Sequence, residues 1–247
     1  MEDVIRLAAG DPEREDLVTG KVVLVLSGEP VHLELTIPSG QISVQALLPI
    51  VQGLSSLMAE RASRRLEAHG KSVSCRAGCG ACCRQLVPIS APEARALSDL
   101  VSAMPEPRQT QVRQRFADAL AALGTDGLIE RHTQPGDGSV TALGMDYFRA
   151  GVDCPFLEDD ACSIHPDRPL SCREYLVSSP PLHCANPSCE SIERLVLESH
   201  PSLTLLNSEV MTGWMPLVVA LSFAEQAAPA VRDRDGSEIL RELISQF

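Results

Sequence analysis

Nine residues, "CRAGCGACC" at 75–83, hold four of the chain's nine cysteines. Cys75, Cys79, Cys82 and Cys83 are separated by three, two and no residues. Gaps of two to four let a tight turn aim two sulfurs at one ion. Gly78 and Gly80 flank Cys79 and permit the bends and close approach that such a turn needs. The other five cysteines, Cys154, Cys162, Cys172, Cys184 and Cys189, lie well downstream, the last two being four residues apart in the gap between them. The pattern points to metal ligation by thiolates, with buried packing thiols as the plain alternative. An odd count and the vicinal Cys82–Cys83 pair speak against a disulfide framework, because neighbouring cysteines bridge only with strain.

The spacing of Cys75, Cys79 and Cys82 also matches the cluster motif of radical S-adenosylmethionine enzymes. Those enzymes surround the motif with repeated strand–helix units, whereas here helix follows helix. Ala81, not an aromatic residue, precedes the third cysteine, and a fourth follows at once. That assignment is set aside.

Charge bears on the same residues. The chain carries a formal net charge of −12, which argues against a grip on nucleic acid through the whole protein. Between residues 61 and 84 the sign reverses: Arg61, Arg64, Arg65, Lys71, Arg76 and Arg84 face a single acid, Glu67. Thiolates around zinc or a 4Fe–4S cluster leave a negative centre that nearby cations stabilise, and cations favour the thiolate itself. Arg76 and Arg84 adjoin the sulfurs; Arg61, Arg64 and Arg65 read equally well as a solvated helix face.

The first twenty residues are acidic, with no apolar run of the kind that marks a secretory leader. The longest apolar stretch, "WMPLVVALSFA" at 214–224, falls short of the roughly 20 residues of a membrane span. The expectation is a cytoplasmic protein with no membrane segment, where clustered thiols stay reduced and bind metal or do redox chemistry.

Several elements must position these cysteines. In "KVVLVLSGEPVHLELTIPSG", Val31, Leu33, Leu35 and Ile37 alternate with His32, Glu34 and Thr36, and "SGEP" supplies a turn, predicting a β-hairpin. A helix follows over Ser43–His69, with an apolar stripe from Leu47 to Leu66 and a stop at Gly70. Pro49 and Gly53 weaken its first half. "SAPEARALSDLVSAM" opens with Ser90 three residues before Glu93, a capping box. "PEPRQTQVRQRFADALAALG" is a further helix closed by Gly124, and residues 124–146 read as a loop. Residues 151–190 have weak periodicity and bury little hydrocarbon, so something else must order them. Helices resume near 190, with Ser237 as cap of the last. Aromatic content of 3% leaves the core to Leu, Val, Ile and Ala. The acidic ends read as solvated surface.

The fold class expected is mainly α (α+β): a helical domain with a small N-terminal hairpin and an irregular, metal-stabilised cysteine-rich region. Its spans are 1–70, 71–190 and 191–247, the last packed in the same domain.

"CRAGCGACC" followed by "CPFLEDDACSIHPDRPLSCREY" resembles the CxxCxxCC, or YkgJ-like, family of zinc- or iron-chelating cysteine-cluster proteins. Cys154-Pro155-Phe156-Leu157, Cys162-Ser163-Ile164-His165, Arg168-Pro169 and Cys172-Arg173 follow its pattern in order. The first gap is three residues here where the family name has two. The resemblance covers about residues 75–190. It implies about eight metal-binding cysteines: Cys75, Cys79, Cys82, Cys83, Cys154, Cys162 and Cys172, plus Cys184 or Cys189. Some members are described as flagellin lysine-N-methylases.

Around the second set, His165 suits packing or support of the ligands. Arg168 and Arg173 suit hydrogen bonds to sulfur, a substrate anion, or ion pairs to Asp159, Asp160 or Glu174. Tyr175 reads as core, and His183 as a weak ligand candidate. Cys82 and Cys83 are expected to point apart and to serve different ions, or only one to ligate. No G-x-G-x-x-G after a strand, no P-loop and no convincing Ser/His/Asp set is present. The favoured reading is a metal-binding module whose zinc or iron–sulfur centre is structural and presents a surface to a partner protein. The other is an iron–sulfur enzyme or redox protein, for instance in methyl transfer to protein lysine or in electron transfer.

Overall fold

The computed structural model describes residues 4–10, 14–125, 140–186, 192–207, 214–226 and 234–247. Its N-terminal part is a three-stranded sheet of β1 (Ile5–Ala8), β2 (Leu17–Leu26) and β3 (Glu29–Pro38), in the order β1-β3-β2. The expected hairpin is β2–β3. Ser27 and Gly28 turn it with φ of 51° and 83°, the doubly left-handed geometry that matches strand twist. Val31, Leu33, Leu35 and Ile37 are buried, as the alternation requires. The acidic N-terminal stretch is not all solvated surface: β1 pairs in parallel with β3, Ile5 opposite Leu33 and Ala8 opposite Thr36.

A two-residue strand, β4 (Gln41–Ile42), and a 3₁₀ turn at Val44–Leu47 lead into α1 (Leu48–Ala68). Pro49 lies in the first turn of α1, where its missing N–H costs nothing, so the first part of the expected helix winds as 3₁₀ instead. Gly53 has its own reason. A Cβ there would stand 2.6 Å from Cδ2 of Leu7, so the glycine lets β1 lie close on the helix. Gly70, at φ +73°, ends the run as expected.

Next come β5 (Pro88–Ile89), α2 (Ala91–Ser102) and α3 (Arg108–Thr125). The capping box of α2 is formed, with Ser90 and Glu93 each bonding the other's backbone amide. Within the expected 124–146 loop, residues 126–139 lie outside the described residues, and 140–146 belong to α4 (Val140–Arg149). The cysteine-rich segment follows as short pieces: β6 (Leu157–Glu158), β7 (Ala161–Cys162), a 3₁₀ turn at His165–Asp167, α5 (Leu170–Glu174) and α6 (Pro181–Cys184). Then come α7 (Pro201–Asn207), β8 (Met215–Pro216), α8 (Ala220–Gln226), β9 (Arg234–Asp235) and α9 (Gly236–Ile244). Asp235, not Ser237, caps α9: its carboxylate accepts from the amides of Ser237 and Glu238. Among the described residues, no helix is long and apolar enough to cross a membrane.

Mixed α+β architecture is what the sequence led one to expect. One apolar cluster joins Leu33, Leu35 and Ile37 of the sheet to Ile50, Leu54 and Met58 of α1 and to Ile239 and Leu243 of α9. Leu170, at the start of α5, is fully buried in the same cluster. The cysteine-rich segment is therefore anchored by hydrocarbon at that point. A second cluster packs Phe156 and Ile164 against α2, α3 and α8, with the Phe116 and Phe156 rings edge to face at 5.3 Å.

Candidate metal centre

Residues 74–85 form a chain of tight turns. The amides of Cys79, Cys83 and Gln85 donate to the carbonyls of Arg76, Gly80 and Cys82. Gly78 takes φ +87°, which side chains rarely adopt. Gly80 is required for closeness: a Cβ would stand 2.4 Å from the carbonyl oxygen of Asp160 and 2.5 Å from Leu157 Cδ1. The first cysteine run thus lies directly on the β6–β7 hairpin, whose turn residues Asp159 and Asp160 both have positive φ.

Backbone contacts lock the two cysteine segments together. At one end the Ser74 amide donates to the Val177 carbonyl at 2.9 Å, and the Val177 amide donates to Cys75 Sγ at 3.4 Å. At the other, the Cys154 amide donates to the Cys83 carbonyl at 2.8 Å. Gln85 Nε2 donates to the carbonyl of Cys184, in α6, at 3.0 Å.

Two buried carboxylates hold α5, which carries Cys172. Glu93 Oε1 accepts from the Leu170 amide at 2.9 Å, while its Oε2 accepts from the amide and hydroxyl of Ser90. Burial raises the Glu93 carboxyl above its ordinary range, against these hydrogen bonds. Glu174 accepts from the Ser202 amide at 2.8 Å and lies 3.2 Å from His200 Nδ1. The Ser171 hydroxyl donates to the Pro88 carbonyl at 2.7 Å.

The result is a cavity of about 290 Å³ lined by Cys79, Cys82, Cys83, Cys154, Cys162 and Cys172. Phe156, Ile164 and Leu217 form apolar wall; His165, Arg168, Tyr175 and Arg194 add polar groups. Cys75 and Cys184 are not part of this lining; burial pushes both thiols up, and Cys82 adds to it. All eight of these cysteines are free thiols. Cys189 lies outside the described residues. Among the described residues, no three His, Cys, Asp or Glu are grouped tightly enough to hold an ion. Ligation would therefore require the sulfurs to close inward.

Electrostatics explain why such a set suits a soft cation. The Cys82 thiol is pushed far up by its hydrogen bond to Cys83 first and by burial second. Burial pushes Cys154 up to about 12, with Cys162 and Cys82 adding to it. Burial likewise holds Cys172 well above its ordinary value. Crowded, desolvated thiols resist ionisation until a positive charge enters among them. The donor set, sulfur throughout, fits zinc or iron and suits hard cations poorly.

A cation of the protein at this place is Arg168, which favours the thiolates of Cys75, Cys82, Cys162 and Cys172. Its Nε is buried without a hydrogen-bond partner. None of the ion pairs expected to Asp159, Asp160 or Glu174 is formed. Arg173 instead turns inward on its own loop, bonding the carbonyls of Arg168 and Pro166.

Arg61, Arg64, Arg65, Lys71 and Arg84 pair with carboxylates. Arg61 and Arg65 clasp the buried Glu198, at 2.7 and 2.6 Å, and Arg64 pairs with Glu60. Arg84 pairs with Asp153 at 2.7 Å, bracing the start of the second cysteine segment. Tyr175 is not core: it is half-buried in the cavity wall, with the Arg194 guanidinium 4.7 Å above its ring. Cys82 and Cys83 both line the one cavity. His165 reaches the cavity, and His183 sits on α6. The sequence reading missed Arg194 and the reach of Glu93 to Leu170. The capping box was a visible signal for Glu93, but only for one of its two carboxylate oxygens.

Residues 74–190 match the model of the CxxCxxCC family, described as "Putative zinc- or iron-chelating domain". No curated protein and no solved structure matches the chain.

Proposed function

We propose, with residues 74–190 as a CxxCxxCC domain, that this protein binds zinc or an iron–sulfur cluster through cysteine thiolates from two chain segments. The ligands are drawn from Cys75, Cys79, Cys82, Cys83, Cys154, Cys162, Cys172 and Cys184, with Cys189 as the spare. One observation carries the reading: six cysteines from separate segments line a single cavity.

The role of the centre is structural. Residues 154–184 contain only short elements, anchored by Phe156, Ile164 and Leu170, and metal–sulfur bonds add order between those anchors. A bound ion acts as a cross-link between the 75–83 turns and the 154–184 segment. Arg168 offsets the negative charge that bound thiolates bring, and Glu93 and Glu174 keep Cys172 in place.

Anaerobic purification with elemental analysis and a visible spectrum tests this. Brown protein with iron and acid-labile sulfide identifies a cluster; colourless protein with zinc identifies a zinc site. Protein free of both sinks the reading. Chelation followed by circular dichroism then separates the roles, since loss of fold is the structural outcome.

A second reading, an iron–sulfur enzyme or redox protein, is favoured by the rest of the cavity wall. Phe156, Ile164 and Leu217 with His165 and Arg194 make a mixed surface beside the sulfurs, of the kind that holds small molecules. An intact fold after chelation, with altered reactivity, would support it.

A further inference from the structure

We propose that the cavity also binds a small organic carboxylate, with Arg168 and Arg194 at its charged end and Phe156, Ile164 and Leu217 around its apolar body. The site rests on the second reading above, in which the cavity wall holds small molecules, and it requires no particular metal.

Charge sets this cavity apart from the rest of the chain. The protein carries 33 acidic residues against 21 basic ones. Yet among the described residues the cavity is lined by Arg168 and Arg194, with His165, and by no Asp or Glu. Arg168 Nε is buried with no hydrogen-bond partner, and among the described residues no carboxylate pairs with either guanidinium. A buried polar group without a partner calls for an explanation in a native protein, and an anion seated here also answers the charge.

Both arginines are fixed through their backbone. The Arg168 carbonyl accepts from Arg173 Nε at 2.9 Å. Arg194 forms an antiparallel bridge with Val177, and the next amide, of Leu195, donates to the Leu176 carbonyl at 2.9 Å. The Arg194 guanidinium lies 4.7 Å from the centre of the Tyr175 ring. A planar guanidinium stacked on a ring keeps its edge N–H groups for a carboxylate, which it grips with two parallel bonds. Arg194 is also exposed, so the cavity is open to solvent beside it.

The opposite wall decides the class of anion. Phe156, Ile164 and Leu217 offer a phosphate nothing, whereas a carboxylate on a compact apolar body satisfies both sides. A volume of about 290 Å³ holds about ten water-sized groups, which limits that body to roughly one ring.

Benzoate is the probe, with benzyl alcohol as its uncharged counterpart and inorganic phosphate as the bare anion. Calorimetry on the purified protein should show one benzoate per chain, bound at least about tenfold more tightly than either control. Arg194→Ala, its folding confirmed by circular dichroism, should weaken benzoate by about tenfold and leave benzyl alcohol unchanged. Absence of benzoate binding, a control that binds as tightly, or a folded Arg194→Ala protein that binds benzoate like the parent overturns the site. Should Arg194→Ala unfold, the three probes on the parent protein decide. Elemental analysis of the same sample keeps the two readings apart. Zinc-loaded or metal-free protein that binds benzoate sinks the iron–sulfur enzyme and keeps the site; iron–sulfur protein that ignores benzoate does the reverse.

Discussion

The Cys154 amide donates to the Cys83 carbonyl at 2.8 Å, tying the last cysteine of the first run to the first cysteine of the second. With the Ser74–Val177 hydrogen bond at the other end, it clamps the cysteine turns at both flanks. The sulfurs are thus brought near one another by backbone contacts as well as by any ion, and that arrangement is sensitive to a few residues that carry no sulfur.

Gly80 is the first of them. A Gly80→Ala side chain would meet backbone at Asp160, which has no flexible end to yield. The turns must lift from the β6–β7 hairpin, at a cost of about 1–3 kcal/mol. Urea unfolding should show that loss, and elemental analysis should show less bound metal. Unchanged stability would mean the close approach is not needed.

Glu93→Ala removes acceptors from the Leu170 amide and from the amide and hydroxyl of Ser90, all of them buried. About 3 kcal/mol of stability should be lost, the scale of charge-assisted bonds plus stranded donors. Glu93→Gln keeps one acceptor oxygen and should lose less. Because α5 is freed at its start, Cys172 in Glu93→Ala should alkylate faster than in the parent protein. Equal labelling rates would separate Glu93 from the positioning of Cys172.

Arg168→Met removes the cation that faces four of the thiols. Groups beside a metal's ligands typically contribute 10–100-fold in affinity, so metal retention against a chelator should weaken by roughly that factor. Arg168→Lys should restore part of it. Identical retention in all three proteins would show that Arg168 serves another purpose.

Acid stability should report Glu198. The Arg61 hydrogen bond holds its carboxyl at about 2 rather than 4.5. A depressed folded value means the native state binds fewer protons than the unfolded chain at intermediate pH. The stabilisation is fully present above 4.5 and is lost as pH falls from 4.5 towards 2. Unfolding measured across that window should show a steeper decline for the parent than for Glu198→Gln. Parallel curves would contradict the assignment.

Local patterns were legible where neighbours in sequence are also neighbours in space. The β2–β3 hairpin follows from alternation and its Ser27–Gly28 turn, and the α2 cap from Ser90 and Glu93. β1 was not legible: four residues, Ile5–Ala8, owe their strand to pairing with β3, which no local pattern announces. Gly53 looked like a defect in a helix until Leu7 was seen against it. Arg61 and Arg65 read equally well as solvated helix surface and as part of a basic run near the thiolates, because charge was judged by sequence distance. Glu198, remote in sequence and buried, takes both.

The cysteines divide in the same way. Their type and their gaps within each run point to metal–thiolate chemistry from sequence alone, since a thiol's affinity for soft metal is a property of sulfur and short gaps constrain a turn directly. Which sulfurs meet was decided by tertiary contacts: Cys83 with Cys154, Cys75 with Val177, Gly80 with Asp160. Those contacts close long loops, and the energy that closes them lies in Leu170, Glu93 and the buried faces of α1 and α2, none of which carries a thiol.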